Sequence, residues 1–190
     1  AFQTSSFSGG TNTTPPFVAN SFPNQGQFDV PTNANFIFGF PSGNSGDMVT
    51  VGTDGITNTT NVLLQTASGG APTGVNICAS GGCTLTWDTT NQSLKIDPTL
   101  NLATSTDHVL ILKKNLKNAQ NVQLNGGMND FMVFFRTSSG TDTAAPTVSF
   151  TNPANAATRV LLGTPEVLVQ FSKSMDSSTL STTTIYLFTD

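Results

Sequence analysis

Apolar residues along this chain recur at every second position, in short runs. Phe36, Phe38 and Phe40 fall on one face of an extended segment, and Leu94 and Ile96 do the same within 93–97. The segment His108-Val109-Leu110-Ile111-Leu112 is apolar on both faces, as a strand enclosed on both sides can be. In Phe131-Met132-Val133-Phe134-Phe135, one face carries Phe131, Val133 and Phe135, and the other carries Met132 and Phe134. Turn chemistry separates these runs: Asp54-Gly55, Gly69-Gly70, Gly81-Gly82 and Asn125-Gly126-Gly127. No stretch sustains a helical period. The pattern predicts an all-β sandwich of many short strands.

The pattern also repeats. Pro16-Phe17-Val18 and Pro23 have counterparts 130 positions on, in Pro146-Thr147-Val148 and Pro153. The match continues through Val30 and Val160. It then aligns Phe36-Ile37-Phe38-Gly39-Phe40 with Val167-Leu168-Val169-Gln170-Phe171, and Thr59–Leu64 with Thr182–Leu187. The first copy is longer between Phe40 and Leu64 than the second is between Phe171 and Leu187. Phe2-Gln3-Thr4-Ser5-Ser6 resembles Phe135-Arg136-Thr137-Ser138-Ser139, the last strand of a module. These matches predict four segments: a preceding module's last strand plus linker (1–14), a complete module (15–139), a linker (140–145) and the first part of a further module (146–190). The last module is expected to be incomplete, so that neighbouring polypeptide would pair with Phe2 and Thr4 at one end and with the open sheet at the other.

Composition narrows the class. Apolar residues make up 36% of the chain, enough for a core, while only 9% are charged and the net charge is −4. The seven cations are scattered, so no basic stripe is present to neutralise phosphates, and neither nucleic acid nor an anionic membrane is an expected partner. The apolar runs are too short for a membrane-spanning helix. Cys78 and Cys83 enclose Ala79-Ser80-Gly81-Gly82, four residues that can form a hairpin turn and bring the thiols together. A disulfide and an oxidising compartment are expected, with two free thiols as the alternative.

Candidate chemistry is sparse. Gly43-Asn44-Ser45-Gly46 superficially matches a serine-nucleophile loop. The adjacent Asp107 and His108 would point to opposite faces of a strand, so no triad is expected. His108, the single histidine, sits in an apolar strand and is read as structural. The acidic residues, ten aspartates and Glu166, lie mostly in turns. No catalytic, cofactor-binding or metal-ligating residue is assigned. A structural calcium on loop carboxylates is the one cofactor such turns could suit. Asn12, Asn58 and Asn91 fit the glycosylation acceptor pattern, which an Asn/Thr-rich chain also matches by chance. Met132 and Phe134 are candidate assembly contacts unless the Phe40–Leu64 insertion covers them.

The segment Phe171-Ser172-Lys173-Ser174-Met175-Asp176-Ser177-Ser178-Thr179, the opening Pro-x-Val strand and the closing Phe135-Arg136-Thr137 resemble the bacterial Ig-like domain. That family occurs in tandem in surface-layer proteins, adhesins and other large surface proteins. The resemblance implies tandem immunoglobulin-like β-sandwich modules and an extracellular, cell-surface location. Three departures stand out. The first module replaces the Phe-Ser-x-x-Met-Asp segment with 40–48. His108 stands where the family usually has Tyr. Asn118-Ala119-Gln120-Asn121 replaces an acidic segment, which weakens an inherited calcium site. The expected role is a non-enzymatic structural or assembly module partnered by neighbouring modules or copies of itself. The alternative is an adhesin-type module whose loops bind a host or cell-surface receptor or glycan, with Trp87 as a thin basis for sugar stacking. An accessory domain of a secreted enzyme ranks third.

Overall fold

The computed structural model describes residues 14–41, 48–154, 157–158, 167–173, 175 and 179–186. The chain divides into two compact units, Ala1–Asp142 and Thr143–Asp190. The expected strand at Phe2 and Thr4, and the Gly43–Gly46 loop, lie outside the described residues.

Among the described residues the first unit has nine strands: β1 (Asn20–Phe22), β2 (Gln27–Val30), β3 (Phe36–Gly39), β4 (Val62–Ser68), β5 (Ala71–Thr73), β6 (Cys83–Asp88), β7 (Ser93–Pro98), β8 (Asp107–Leu112) and β9 (Phe131–Thr137). They form a four-stranded sheet, β1-β3-β7-β6, and a five-stranded sheet, β2-β9-β8-β4-β5. All pairings are antiparallel except β2 with β9. The first sheet has the A-B-E-D order of an immunoglobulin fold, and β9-β8-β4 the order G-F-C. The chain leaves β1, turns at the cis peptide Phe22-Pro23, and joins the second sheet as β2.

The two-residue alternation of the sequence becomes the core. Phe36 and Phe38 of β3, Leu94 and Ile96 of β7, Leu64 of β4, Leu110 and Leu112 of β8, and Val133 and Phe135 of β9 are all buried in one cluster. Rings interlock between the sheets: Phe36 tilts against Phe135 at 5.2 Å, and Phe38 meets Phe131 edge-on at 5.8 Å. Each such side chain fully buried contributes about 1.5–3 kcal/mol of transfer free energy. Thr137 closes the last strand for a polar reason. It is buried, and its hydroxyl donates to Ala103 O (2.6 Å) while accepting from Thr106 N–H (2.9 Å). The end of β9 is thereby fastened to the loop entering β8.

The described part of the Phe40–Leu64 insertion, residues 48–64, leaves Met132 40% exposed. Met48 and Ile56 point into the same core cluster. Buried Asn61 pins the loop, its amide donating to Thr53 O and Gly55 O while its oxygen accepts from Asn115 Nδ2. The β4–β5 hairpin turns on Gly69 and Gly70, both at positive φ (59° and 77°), the conformation a two-residue turn of matching twist requires.

The second unit pairs β10 (Val148–Asn152) with β11 (Leu168–Phe171). The repeat seen in the sequence is also a repeat of register. Asn20↔Gly39, Ser21↔Phe38 and Phe22↔Ile37 in the first unit correspond to Phe150↔Gln170, Thr151↔Val169 and Asn152↔Leu168 in the second. Each first strand ends in a cis X-Pro bond.

A second piece repeats as well. Asn58 O accepts from the N–H groups of Asn61 and Val62, and its side chain accepts from Thr60 N–H. In the second unit Ser181 O accepts from Thr184 and Ile185, and its hydroxyl accepts from Thr183 N–H. The segment from Thr182 that aligns with Thr59–Leu64 is therefore, as far as Tyr186, a side-chain-capped turn. Its counterpart before β4 is the same turn, and β4 begins only at Val62. Short polar side chains offer the backbone this local alternative to a ladder.

Candidate interaction surface

The strongest candidate is the outer face of the five-stranded sheet. Because successive side chains alternate, the residues between the core positions of β4, β8 and β9 share this face. Registers place Leu63 beside Ile111, Ile111 beside Met132, and Val109 beside both Gln65 and Phe134. Val109 and Ile111 are buried here, whereas Met132 is 40% exposed and Phe134 is half-buried. The face is apolar at its centre and charged at its margins. Arg136 Nη1 donates to Asp107 Oδ1 at 2.9 Å, and Lys113 Nζ to Asp130 Oδ2 at 2.7 Å. Burial pushes the Asp130 carboxyl up. Its hydrogen bonds from Lys113 and from Lys114 N–H, with the two lysine charges, outweigh that and hold it below the usual carboxylate range.

At one end of this face lies a hollow of about 320 Å³, walled by Gln25–Phe28, Ala67–Gly70, Phe134 and Arg136. Gln25 and Gly26 form its lip, because Phe134 N–H donates to Gln25 Oε1 and Gly26 N–H donates to Phe134 O. Phe28 beside it is 70% exposed. Sequence periodicity missed Phe28, because Asp29 at φ 56° breaks the alternation of β2.

His108 belongs to the core side. It is fully buried, its ring stacks on Phe135 (5.4 Å, 17°), and Nδ1 lies 3.0 Å from Thr106 O. That contact assigns the proton to Nδ1, and Nε2 has no partner. Desolvation lowers the imidazole pKa against the opposing influence of Thr106 O and Asp107, so the ring is neutral at pH 7. Asp107 faces outward and is engaged by Arg136, so the two residues build no acid–base pair.

Cys78 and Cys83 are bonded, with Cα atoms 4.4 Å apart. The intervening residues form a 3₁₀ turn (Ala79–Gly81) leading into β6, and not the β-hairpin expected. Gly81 adopts φ 85°, and a Cβ on Gly82 would stand 1.7 Å from Ile77 O. Trp87 is half-buried against Phe40 at 5.5 Å and offers no exposed stacking platform. Among the described residues, no three His, Cys, Asp or Glu side chains come together to hold a metal. Lys117 Nζ lies 3.0 Å from Asp54 Oδ2, which places a cation on the Asp54-Gly55 turn. No helix among the described residues is long and apolar enough to cross a membrane.

Comparison with known proteins places this geometry in a class. Residues 142–190 match the sequence profile of the bacterial Ig-like domain, the family the residue motifs resemble. The match covers the second unit, and the first unit repeats that unit's strand registers and its capped turn. No curated protein matches the chain in sequence. Among solved structures, the S-layer protein rSbsC(31-844) aligns at 12% identity over 72% of this chain and 15% of its own, with a TM-score of 0.41. Domains 1–6 of surface layer protein SbsC align at 10% over 72% and 15%, TM-score 0.43. CopC from Methylosinus trichosporium OB3b aligns at 10% over 68% of this chain and 99% of its own, TM-score 0.42. The aligned region thus spans about a seventh of the S-layer chains, and likenesses this distant bear on neither activity nor partner.

Proposed function

We propose that this chain is a non-catalytic structural module of an extracellular surface protein, acting in an ordered assembly such as a surface layer, stalk or filament. The observation that carries the proposal is the apolar outer face of the five-stranded sheet, with Met132 and Phe134 at its surface and Val109 and Ile111 beneath. A sheet with one face in the core ordinarily presents polar residues on the other. Contiguous apolar surface of this kind marks a contact with another polypeptide. Tandem modules, a disulfide and a surface of uncharged polar residues suit an assembly outside the cell. The test is analytical ultracentrifugation of the 190-residue chain and of its Met132→Lys/Phe134→Lys variant. The wild type is expected to associate with rising concentration, and the variant to lose the part of that association carried by this face and so form smaller species at the same concentration. A wild type that remains monomeric at several hundred micromolar would count against self-assembly.

A second reading, an adhesin-type binding module, is favoured by the hollow beside exposed Phe28, where an aromatic ring flanks the Arg136–Asp107 pair. Glycan-array binding lost on Phe28→Ala would select it.

A further inference from the structure

The four sheet edges of the first unit are not alike. β1 has three residues and runs into Pro23. β2 has four and is distorted by Asp29 at φ 56°. β5 has three, of which Pro72 cannot donate. These are the devices that keep an edge from recruiting another strand: brevity, backbone distortion and proline. β6 has none of them. It runs for six residues, Cys83-Thr84-Leu85-Thr86-Trp87-Asp88, without proline, and its only charge is at the far end. β7 is its only strand partner among the described residues.

The side of β6 that faces away from β7 can be read from its ladder. Thr99 N–H donates to Gly82 O, so in this antiparallel pair the hydrogen-bonded positions are Gly82, Thr84, Thr86 and Asp88. The backbone groups of Cys83, Leu85 and Trp87 therefore point away from β7. The side chains of Thr84 and Thr86 are exposed, while Leu85 and Trp87 pack against the core. The disulfide holds the start of the strand at Cys83.

We propose that β6 is an assembly edge, and that its partner is β6 of a second copy of this chain, paired antiparallel about a two-fold axis at Leu85. This rests on the assembly reading above and names a surface for it. The occupant follows from charge and register. Pairing Leu85 with Leu85 of the second copy sets Cys83 opposite Trp87 and Thr84 opposite Thr86, so the outward backbone groups of each strand meet their complements. The exposed side chains then form Thr–Thr pairs, a favourable cross-strand combination. Asp88 falls opposite Gly82 and lies six residues along the seam from its own counterpart, about 20 Å, beyond the screening length at physiological salt. The two four-stranded sheets become one continuous sheet. Such strand addition makes little demand on sequence beyond a free, unblocked edge.

The experiment uses the 190-residue chain, its Thr84→Lys/Thr86→Lys variant and its Thr84→Glu/Thr86→Glu variant. All four substitutions are at exposed positions, and unchanged circular dichroism and thermal midpoint will confirm the fold. The wild type is expected to dimerise with concentration-dependent protection of the Cys83, Leu85 and Trp87 amides from hydrogen exchange. Each charged variant alone is expected to dimerise at least about tenfold more weakly, because like charges then face each other directly across the seam. An equimolar mixture of the two variants should recover the dimer. Association that survives the Lys variant but is lost in Met132→Lys/Phe134→Lys would overturn the β6 proposal and leave the assembly reading standing. A wild type that stays monomeric with freely exchanging Cys83, Leu85 and Trp87 amides would overturn both.

Discussion

At the residue scale, His108 shows how a position with an apparent chemical role is bound by its surroundings to a structural one. The ring is enclosed against Phe135, and its single anchor is the Thr106 carbonyl. Because burial lowers the folded-state pKa, the unfolded chain takes up a proton near the ordinary value of 6.5 and the folded chain only at lower pH. The unfolded state then binds more protons in that window, so stability falls as pH drops below about 6.5 and levels off beneath the folded value. Asp130 acts in a separate, more acidic window. Its depressed carboxyl contributes stability above the ordinary carboxylate range that is lost as pH falls through the folded value. Replacing His108 with Phe, which keeps a ring over Phe135, is expected to flatten the dependence of the thermal midpoint between pH 7.5 and 5 and to leave the more acidic loss intact. Parallel profiles for the two proteins would show that His108 is not its source.

At the scale of elements, the turn before β6 depends on a covalent tie and on close backbone approach. The disulfide closes a loop with a sequence separation of 5, a short one, and in the chain-entropy picture it stabilises by about 2 kcal/mol. A Cys78→Ala/Cys83→Ala variant is expected to fold with that loss, read from urea denaturation. Its earliest-exchanging amides should lie in 77–85. Gly82→Ala is the more disruptive change, since the added methyl meets the Ile77 carbonyl and the backbone must move. A urea midpoint for Gly82→Ala above that of the double-alanine variant would show that the turn relaxes more readily than its packing indicates.

For the whole molecule, the two sheets of the first unit are held together by an aromatic seam, with Phe38 against Phe131 and Phe36 against Phe135. Phe38→Ala is expected to cost about 3–5 kcal/mol, because both the transfer free energy and the contacts of the surrounding wall are lost. Equilibrium urea unfolding followed by Trp87 fluorescence, which reports on the adjacent Phe40, measures it. A loss below about 1 kcal/mol would mean that the seam collapses around the cavity. The second unit carries the same strand pair but leaves Leu168 and Phe150 exposed on it. In the first unit the equivalent β3 is covered by β7 and by the facing sheet. Equivalent backbone hydrogen bonding thus accompanies very different burial in the two copies.

The division between what was legible and what was not follows from the range of the interactions. Alternation of apolar residues is local, so the core positions Phe36, Phe38, Leu94, Ile96 and Phe135 could be read directly, as could the repeat and the all-β class. The Gly69-Gly70 hairpin was equally legible, because positive φ is a property of those two residues. The match of Thr182–Leu187 to Thr59–Leu64 was legible too, but that both segments open on a side-chain-capped turn was decided by the hydrogen bonds of Asn58 and Ser181. The β6 edge could not be seen at all. Which strand ends a sheet depends on pairings between segments distant in sequence, and nothing within Thr84-Leu85-Thr86 records that β7 is its only strand partner among the described residues. The outer face of the five-stranded sheet is an intermediate case. The sequence by itself placed Met132 and Phe134 opposite the core, but only the tertiary structure decided that the described part of the insertion turns inward through Met48 and Ile56, because burial in the core removes those apolar side chains from water and the core is assembled from segments distant in sequence.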